Sequence, residues 1–393
     1  AIAVDLDKGK IYDSKSLKNK ISKDYKKYNK QIIDLDKKLG TTKEKFIYED
    51  DELRRRQFLA GITIEDLELI LHPMIEDIKE ARDFINGKLV ETPVLGLKED
   101  DIRKFLPKNS SVSIKLELFQ QTGSFKARGV VLGVNLLSSE EKKRGIVTVT
   151  GGNHGIATAW GAKQYGVSAK IIMPKTADPY RINKCRSLGA EVILTENVDE
   201  AFTRLDQVER EEGRFILHPF NSENMVLGSA TCCAEMLEQI PKLDILITPI
   251  GGGGLVAGMA HNLDHSNSTI ELLGVEPMGA DSFHKSLQEK KALKIEKVDT
   301  IADSLGSPMA MDFSFDIARR RVKRVEKVTD NEIRKAMVIM RDYLGLMVEP
   351  ACATSLAGLM GPYREHCEGK KVGIIACGSN ISFDRYNEIL SKL

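Results

Sequence analysis

Hydrophobic residues recur in two alternating patterns through the middle of the chain. Short runs rich in valine and isoleucine, which favour extended backbone, predict strands at 112–118, 146–149, 169–173 and 191–195. Between them, apolar residues spaced three and four apart predict helices at 128–137, 156–164 and 181–188. Strands that alternate with helices in this way indicate a parallel sheet covered by helices on both faces.

The flanking parts of the chain predict a second sheet. A nearly continuous apolar run at 243–250 is typical of a strand buried on both faces, and two further strands are predicted at 271–275 and 371–376. On the N-terminal side, Thr63 is placed to cap a short helix, and another helix is predicted at 75–85. These elements together predict an α/β protein with two sheets.

The order of these elements predicts how the chain divides into domains. We interpret residues 144–221 as a small lobe inserted into a large lobe, which is formed by residues 62–143 and 222–393. Residues 1–61 are interpreted as a lysine-rich N-terminal extension. The first 60 residues hold 16 Lys or Arg against 11 Asp or Glu, and their sparse apolar residues suggest one weak amphipathic helix within 25–35. This extension is either a solvated appendage or an arm that contacts a second subunit or an anionic partner.

The composition limits the class of function. Among 393 residues, 42% are hydrophobic and 29% are charged, which suits a protein with a full core and a charged surface. The net charge of +1 gives no reason to expect nucleic acid or a membrane as a partner, and no apolar run reaches the ~18 residues of a membrane span. Six cysteines without CxxC spacing predict reduced thiols of a cytoplasmic protein, instead of disulfides or a zinc site.

Lys126 lies in a segment of small residues, 121–129, directly after the strand predicted at 112–118. Burial and nearby positive charge lower the pKa of an ammonium group, so a lysine at the inner end of a strand can act as an amine nucleophile. Taken alone, the segment is also compatible with a surface lysine in a turn.

Four consecutive glycines, Gly251, Gly252, Gly253 and Gly254, separate a predicted strand from a predicted helix. Such a run can direct several backbone N–H groups into one concavity, where the helix dipole adds positive potential that favours a phosphate. A flexible turn explains the glycines equally well when they are considered alone, and the run lacks the lysine of a Walker loop.

Two more segments follow predicted strands. Thr150, Gly151, Gly152, Asn153 and His154 close one strand and open a helix, where the asparagine can donate a hydrogen bond to a ligand or cap the helix. The segment that begins at Cys377 follows the last predicted strand, and its thiol is compatible with a buried structural role. Glu349, which precedes a proline, is compatible with a buried salt bridge.

In this order, the segments resemble those of the fold-type II pyridoxal-phosphate (PLP) enzymes, and most closely the branch of threonine/serine dehydratases (ammonia-lyases) and serine racemases. The central match is Gly-Ser-Phe-Lys-Ala-Arg-Gly at 123–129, and the resemblance extends from about Ile62 to the C-terminus. It implies a tryptophan-synthase-β-like fold of two lobes, each with a mostly parallel sheet flanked by helices. It also implies PLP as the cofactor and a small amino acid as the substrate.

The resemblance implies a role for each matching residue. Lys126 would hold PLP as an imine and then remove the Cα proton of the substrate. The other cofactor-binding residues would be Phe125, Asn153, Gly251, Gly252, Gly253, Gly254, Glu349 and Cys377. The substrate-binding residues would be Ser124, Thr150, Gly151, Gly152, Asn153 and His154.

Departures from the family pattern favour one reaction. Gly151 stands where the serine racemases carry a serine that serves as the base on the second face, and Ala127 stands where synthases of this fold carry an aspartate. We therefore predict elimination from a β-hydroxy amino acid, such as threonine or serine, to a 2-keto acid and ammonia. A serine racemase and a non-catalytic binding protein that retains the fold are the alternatives. The resemblance also implies a homodimer.

A divalent-cation site found in some relatives is only weakly represented. Glu276 and the Ala280 carbonyl match two of its ligands, but Ser282 replaces the acid that would supply a third. Because a hard cation prefers several oxygen ligands, some of them anionic, we predict that no metal binds.

Overall fold

The computed structural model describes residues 3–5, 10–12, 76–98 and 100–393, and the chain separates into two units, Ala1–Met74 and Ile75–Leu393. In the first unit, strands β1 (Ala3–Asp5) and β2 (Lys10–Tyr12) pair antiparallel. The helices predicted within 25–35 and after Thr63 lie outside the described residues.

The second unit alternates strands and helices along its length. Its strands are β3 (Val94–Gly96), β4 (Ser111–Lys115), β5 (Ile146–Val149), β6 (Ala169–Pro174), β7 (Glu191–Thr195), β8 (Phe215–Ile216), β9 (Ile245–Pro249), β10 (Glu271–Pro277), β11 (Val322–Val328) and β12 (Lys371–Ile375). Its α-helices are α1 (Glu76–Ile85), α2 (Asp100–Arg103), α3 (Lys126–Leu136), α4 (Ser139–Arg144), α5 (Asn153–Gln164), α6 (Pro179–Ser187), α7 (Val198–Glu212), α8 (Glu223–Gln239), α9 (Gly254–His265), α10 (Ser282–Glu289), α11 (Asp312–Ala318), α12 (Asp330–Leu344), α13 (Pro350–Met360) and α14 (Phe383–Leu390). In this part of the chain no helix is both long and apolar enough to cross a membrane.

The strands form two sheets. The larger sheet has the order β11-β10-β9-β12-β4-β3, in which only the edge strand β3 runs antiparallel to its neighbour. The smaller sheet has the order β7-β6-β5-β8 and is parallel throughout. The predicted α/β fold with two mostly parallel sheets is confirmed.

The small sheet shows why neighbouring apolar residues are needed in its central strands. Ile146 and Ile171 pack on the side of α5, whereas the next residues, Val147 and Ile172, pack against α7. Successive side chains of a strand point to opposite faces, so a sheet covered by helices on both faces requires apolar residues at consecutive positions.

Helix α3, which begins with Lys126, is held close to α8 by a pair of glycines. A Cβ atom on Gly228 would lie 2.3 Å from the backbone nitrogen of Gly129, so neither helix could carry a side chain at this crossing. Further along α3, Val130 and Val134 pack in the core of the small sheet. The helix that carries the candidate lysine is therefore fixed by direct backbone contact and by the hydrophobic core beside the small sheet.

A buried ion network fixes the same region. The guanidinium of Arg128 donates to both carboxylate oxygens of Glu117 at 2.8 Å and to Glu235 at 2.7 and 2.8 Å. Lys115 donates to Glu235 at 2.8 Å. Burial by itself would raise the pKa of Glu117, but the charge of Arg128 and its hydrogen bonds hold that pKa below its ordinary value. The network joins the end of β4 to α3 and α8.

Several element boundaries differ from the sequence-based predictions. The strand predicted at 112–118 ends at Lys115, because residues Glu117–Phe119 form a 3-10 turn. The helix predicted at 156–164 begins earlier, at Asn153. Strand β11 and the long helices α8, α12 and α13 were not predicted.

We predict that Arg128→Met destabilises the protein by about 3–5 kcal/mol, because it leaves the carboxylates of Glu117 and Glu235 without their shared guanidinium. Arg82→Met is the matched control, since Arg82 pairs with Glu238 at the surface, where its side chain is 32% exposed. Removing that pair should cost less than about 1 kcal/mol. Urea unfolding of both variants measures the difference, and equal losses would contradict the prediction.

Candidate active site

A cavity of about 330 Å³ lies beyond the carboxyl ends of strands from both sheets. Pro249 ends β9, Val149 ends β5 and Pro174 ends β6, and all three residues line the cavity. Parallel sheets commonly bind ligands at this end, because the loops that leave the strands converge there. Lys126 also lines the cavity, from the first position of α3.

The side chain of Lys126 is half-buried, and its amine is held by the backbone. Its Nζ donates to the carbonyl oxygen of Pro219 at 2.5 Å and lies 5.0 Å from the centre of the Phe125 ring. Burial lowers the pKa of Lys126 to about 8. A larger fraction of this amine is therefore uncharged near neutral pH than for a lysine in water, as a nucleophile or base requires.

The four glycines border the same cavity and leave no space for side chains. A Cβ atom on Gly252 would lie 2.3 Å from the ring of Phe220, and one on Gly251 would lie 2.9 Å from the backbone of Leu305. Gly253 has a φ of +92°, in the left-handed region that favours glycine.

The backbone of this run is free to bind an anion. Among the described residues, no hydrogen-bond acceptor pairs with the N–H groups of Gly251, Gly252 and Gly253. The run leads into α9, whose positive dipole end adds to the potential. The arrangement suits a phosphate.

The lysine and the glycine run are linked through two adjacent residues. Pro219 accepts the hydrogen bond from Lys126, and the next residue, Phe220, lies against Gly252.

The side-chain amide of Asn153 is oriented from both ends. Its Oδ1 accepts from Asn380 at 2.6 Å, and its Nδ2 donates to Glu349 at 2.5 Å. An amide nitrogen carries two N–H groups, so one donor of Asn153 remains to face the cavity that the residue lines. The backbone N–H groups of Gly151 and Asn153 also have no acceptor among the described residues, so they too can bind a ligand in the cavity.

Glu349 is fully buried and pairs with a residue that the sequence did not single out. Its Oε2 lies 3.1 Å from a guanidinium nitrogen of Arg181 and 3.4 Å from the hydroxyl of Ser304. Burial raises the pKa of Glu349 to about 7, although the charge of Arg181 works in the opposite direction. The carboxyl group can therefore change its protonation state near neutral pH.

Arg181 connects several parts of the site. It is buried, and it donates to Asp303 at 2.7 Å, to the Asn380 carbonyl at 2.7 Å and to the Gly151 carbonyl at 3.3 Å. Arg181 lies on α6, which Asp178 caps by accepting from the Tyr180 N–H. No local pattern in the sequence predicts these contacts, since the partners Asp303 and Glu349 are 122 and 168 positions away.

The two histidines of the cavity are neutral. Burial lowers the pKa of His154 to about 3 and that of His218 to about 4, and the charge of Lys126 lowers both further. The Nε2 of His154 lies 2.9 Å from the Leu217 carbonyl, so the ring has a structural contact as well as a place in the cavity wall. The Nδ1 of His218 accepts from two backbone N–H groups, which assigns its proton to Nε2.

Cys377 presents a protonated thiol to the cavity. A hydrogen bond to Cys352, together with burial, raises the pKa of Cys377 well above its ordinary value. The carbonyl of Cys377 also accepts from the Phe125 N–H at 3.2 Å, which ties this segment to the lysine segment. A neutral thiol of this kind can donate to an uncharged ring nitrogen.

Three residues lie elsewhere: the predicted substrate residue Ser124 and the two weak metal candidates, Glu276 and Ala280. Ser124 does not line the cavity; it is fully buried and bridges to Gly378. Glu276 and Ala280 also lie outside the cavity wall, and the Glu276 carboxylate accepts from the backbone N–H groups of Phe283 and His284 at 2.9 and 2.7 Å. Burial raises the pKa of Glu276 to about 8. Within the described ranges, no cluster of three or more His, Cys, Asp or Glu side chains could hold a metal ion.

The remaining predicted residues border one cavity, and their chemistry fits a single molecule. A depressed-pKa amine suits an aldehyde, the glycine run suits a phosphate, and the donors of Asn153 and Cys377 suit a phenolic oxygen and a ring nitrogen. Pyridoxal phosphate carries all four of these groups.

Comparison with known proteins agrees with this fit. The sequence model of the family described as "Pyridoxal-phosphate dependent enzyme" matches residues 87–378. Phenylserine dehydratase of Ralstonia pickettii is 44% identical over 271 residues, which cover 69% of this chain and 83% of the relative. L-threonine ammonia-lyase of Thermotoga maritima is 31% identical over 319 residues, covering 81% and 78%.

The fold agrees with a solved relative. The structure of maize serine racemase superposes with a TM-score of 0.75 at 31% identity, covering 81% of this chain and 97% of the racemase. The predicted resemblance to the dehydratase and racemase branch, the fold and the cofactor are thereby confirmed. The chain belongs to the pyridoxal-phosphate-dependent enzymes of fold type II, and pyridoxal phosphate is its cofactor.

Proposed function

We propose that the protein is an ammonia-lyase that removes water from a β-hydroxy amino acid and releases a 2-keto acid and ammonia. Relatives of both kinds, dehydratases and racemases, are similar to this chain, so the family alone does not decide the reaction. The observation that carries the proposal is Gly151, which supplies no proton-transferring group on the face where the racemases carry a serine.

The surroundings of Gly151 support this proposal. The atoms nearest to a Cβ at this position belong to Pro174 and Ala177, at 3.6 and 3.7 Å, and neither side chain can exchange a proton. Racemisation requires a proton to leave from one face of Cα and another to arrive on the opposite face. Elimination requires one base, and Lys126 is positioned to serve as that base.

Each residue of the site then has a task. Bound pyridoxal phosphate supplies an electron sink that acidifies the substrate Cα–H. The Nζ of Lys126 accepts the Cα proton, and the N–H groups of Gly151 and Asn153 bind the substrate carboxylate. The N–H groups of the glycine run bind the phosphate, while Asn153 and Cys377 orient the ring. In the overall balance the Cα proton and the β-hydroxyl leave as one molecule of water, and a second water hydrolyses the enamine product to the keto acid and ammonia.

The localisation, the oligomeric state and the domain boundaries predicted from the sequence are part of the same proposal. We propose a cytoplasmic homodimer with residues 1–61 as an extension of the catalytic part, residues 62–393, and the lobe boundaries at 144 and 221. The six cysteines are all free and buried, which suits a reducing compartment. A racemase of the same fold is the second candidate, since serine racemases of rice and Dictyostelium are each 32% identical.

We expect Lys126→Met to stabilise the cofactor-free protein at pH 7, and we expect this gain to shrink as the pH rises. Burial holds the pKa of Lys126 at about 8 in the folded chain, against an ordinary value of 10.5. Below pH 8 the folded chain carries the full cost of a buried ammonium. Between pH 8 and 10.5 it loses that proton while the unfolded chain keeps it, so the cost disappears.

Urea unfolding at pH 7 and pH 10 measures this effect. Lys163→Met, at an exposed position of α5, is the control for the loss of a lysine. If the difference in unfolding free energy between Lys126→Met and the parent does not change with pH, the amine is solvated in the folded protein. The same variant should also lose keto-acid production when pyridoxal phosphate is added.

Gly151→Ser should add the missing base and raise interconversion of substrate enantiomers by about a hundredfold or more, because one positioned general base contributes roughly 10²- to 10⁴-fold. Contacts of 3.6 and 3.7 Å leave room for the new Cβ without a clash. The loaded parent protein should release keto acid from β-hydroxy amino acids much faster than it interconverts enantiomers.

Chiral chromatography and a coupled keto-acid assay measure both rates on the same samples. Gly189→Ser on the turn after α6 is not a suitable control, because Gly189 has a positive φ of +92°. Ala177→Ser is suitable, since it places a hydroxyl in the same wall at another position. A parent protein that racemises faster than it eliminates would reverse the assignment.

A further inference from the structure

We infer that the site selects β-hydroxy amino acids whose β-substituent is uncharged and apolar, and that an aromatic ring suits it better than a hydrogen, a methyl group or a carboxylate. The inference rests on the proposed function and specifies the substrate class of that same site. Phe202 is the residue that we assign to this selection.

Helix α7 supplies an apolar wall on the small-lobe side. Phe202 and Leu205 line the cavity from this helix, together with Pro174 and Ala177 from the end of β6 and the turn after it. Leu205 is 8% exposed and packs in the cluster between α7 and the small sheet, so the wall is fixed. Phe202 is 43% exposed although its side chain is aromatic. An exposed phenyl ring at a cavity wall offers apolar area that a ligand can cover.

Apolar side chains also line the cavity from the loop after residue 303. Leu305, Met309 and Met311 line it from this loop, and Leu305 is nearly buried against Gly251. Methionine side chains adapt to the shape of an apolar ligand and make favourable contacts with aromatic rings. The cavity therefore has apolar walls from both lobes.

The charges of the cavity disfavour a second carboxylate. Among the described lining residues, Lys126 is the only lysine or arginine, and the proposed reaction requires that amine. His154 and His218 are held neutral, because burial lowers their pKa values to about 3 and about 4. The carboxyl groups of the described wall belong to Asp303 and Glu349, and neither can supply a positive charge.

Arg181 cannot supply the missing cation. It does not line the cavity, and its guanidinium is already bound to Asp303 and Glu349. A carboxylate that enters an apolar site without a cation loses its hydration and gains no ion pair. A β-carboxylate should therefore be rejected.

Small substrates should also be poor. The α-carboxylate has the N–H groups of Gly151 and Asn153, and these contacts are the same for every amino acid. A hydrogen or methyl group on Cβ would leave Phe202 and the methionines in contact with water, whereas a phenyl group would cover them. We expect kcat/KM for a phenyl-substituted substrate to exceed that for serine by roughly ten- to a hundredfold, the range that apolar pockets provide.

The first experiment compares substrates of the holoenzyme. Keto-acid release is measured for serine, threonine, 3-hydroxyaspartate and a β-hydroxy amino acid with a phenyl group on Cβ. Binding is measured separately with phenylalanine and aspartate, which lack the hydroxyl, through the change in absorbance of the bound cofactor. Phenylalanine should bind at least tenfold more tightly than aspartate, because it covers the apolar wall and brings no second charge.

The second experiment changes the wall. Phe202→Arg places a cation at the cavity, and it should shift the kcat/KM ratio of 3-hydroxyaspartate to the phenyl substrate by at least about thirtyfold towards the acid. Phe215→Arg is the matched control, because Phe215 is 37% exposed on β8 of the same lobe and does not line the cavity. Its ratio should stay within about twofold of the parent.

The outcomes separate this inference from the proposed function. Keto acid from serine or 3-hydroxyaspartate at a higher kcat/KM than from the phenyl substrate would overturn the selectivity and leave the lyase in place. An unchanged ratio in Phe202→Arg would overturn the role of Phe202. If no substrate yields keto acid, the lyase proposal fails, and tighter binding of phenylalanine than of aspartate still decides in favour of the apolar site.

Discussion

The buried guanidinium of Arg128, shared between Glu117 and Glu235, is the interaction on which the position of the amine depends. Arg128 lies two residues after Lys126 on α3, Glu117 follows β4, and Glu235 belongs to α8. Charges are costly to bury, and such a network is stable only when every member keeps its partners. Any shift of α3 would break several charge-assisted hydrogen bonds at once. The network therefore fixes the angle at which α3 presents its first residue to the cavity.

A second network joins segments beside the small sheet to segments beside the large sheet, across the site itself. Asn153 and Arg181 come from helices beside the small sheet, whereas Glu349 and Asn380 come from segments beside the large sheet. The amide of Asn153 and the carbonyl of Gly151 are held by these contacts, so the 150–154 segment depends on residues beside both sheets. The pKa of Glu349, about 7 because of burial, places one member of this network close to its titration point. Because Glu349 also contacts Asn153 and Arg181, a change in its protonation state would change the contacts that orient these two side chains.

Local sequence patterns were sufficient for the parts of the site that are defined by short segments. Lys126, the four glycines and Asn153 each lie where a predicted strand meets a helix. The spacing of apolar residues and the residue types between the two elements were therefore enough to locate them. Arg181 was missed because its partners are more than a hundred positions away, and no spacing rule connects them. Strand β11 was missed for another reason. Its sequence, Val-Lys-Arg-Val-Glu-Lys-Val, belongs to an edge strand with exposed polar residues, and it lacks both strict alternation and a continuous apolar run.

Gly151 connects the proposed reaction with the proposed substrate. The absent side chain removes a proton donor from one face of the cavity, and the atoms nearest to the missing Cβ belong to the apolar side chains of Pro174 and Ala177. A serine here would add a hydroxyl that must be solvated or hydrogen-bonded, which an adjacent apolar group cannot provide. A glycine avoids that cost and leaves room for an apolar substituent. One position can therefore favour elimination over racemisation and an apolar β-substituent over a polar one, without any change in the residues that bind the cofactor.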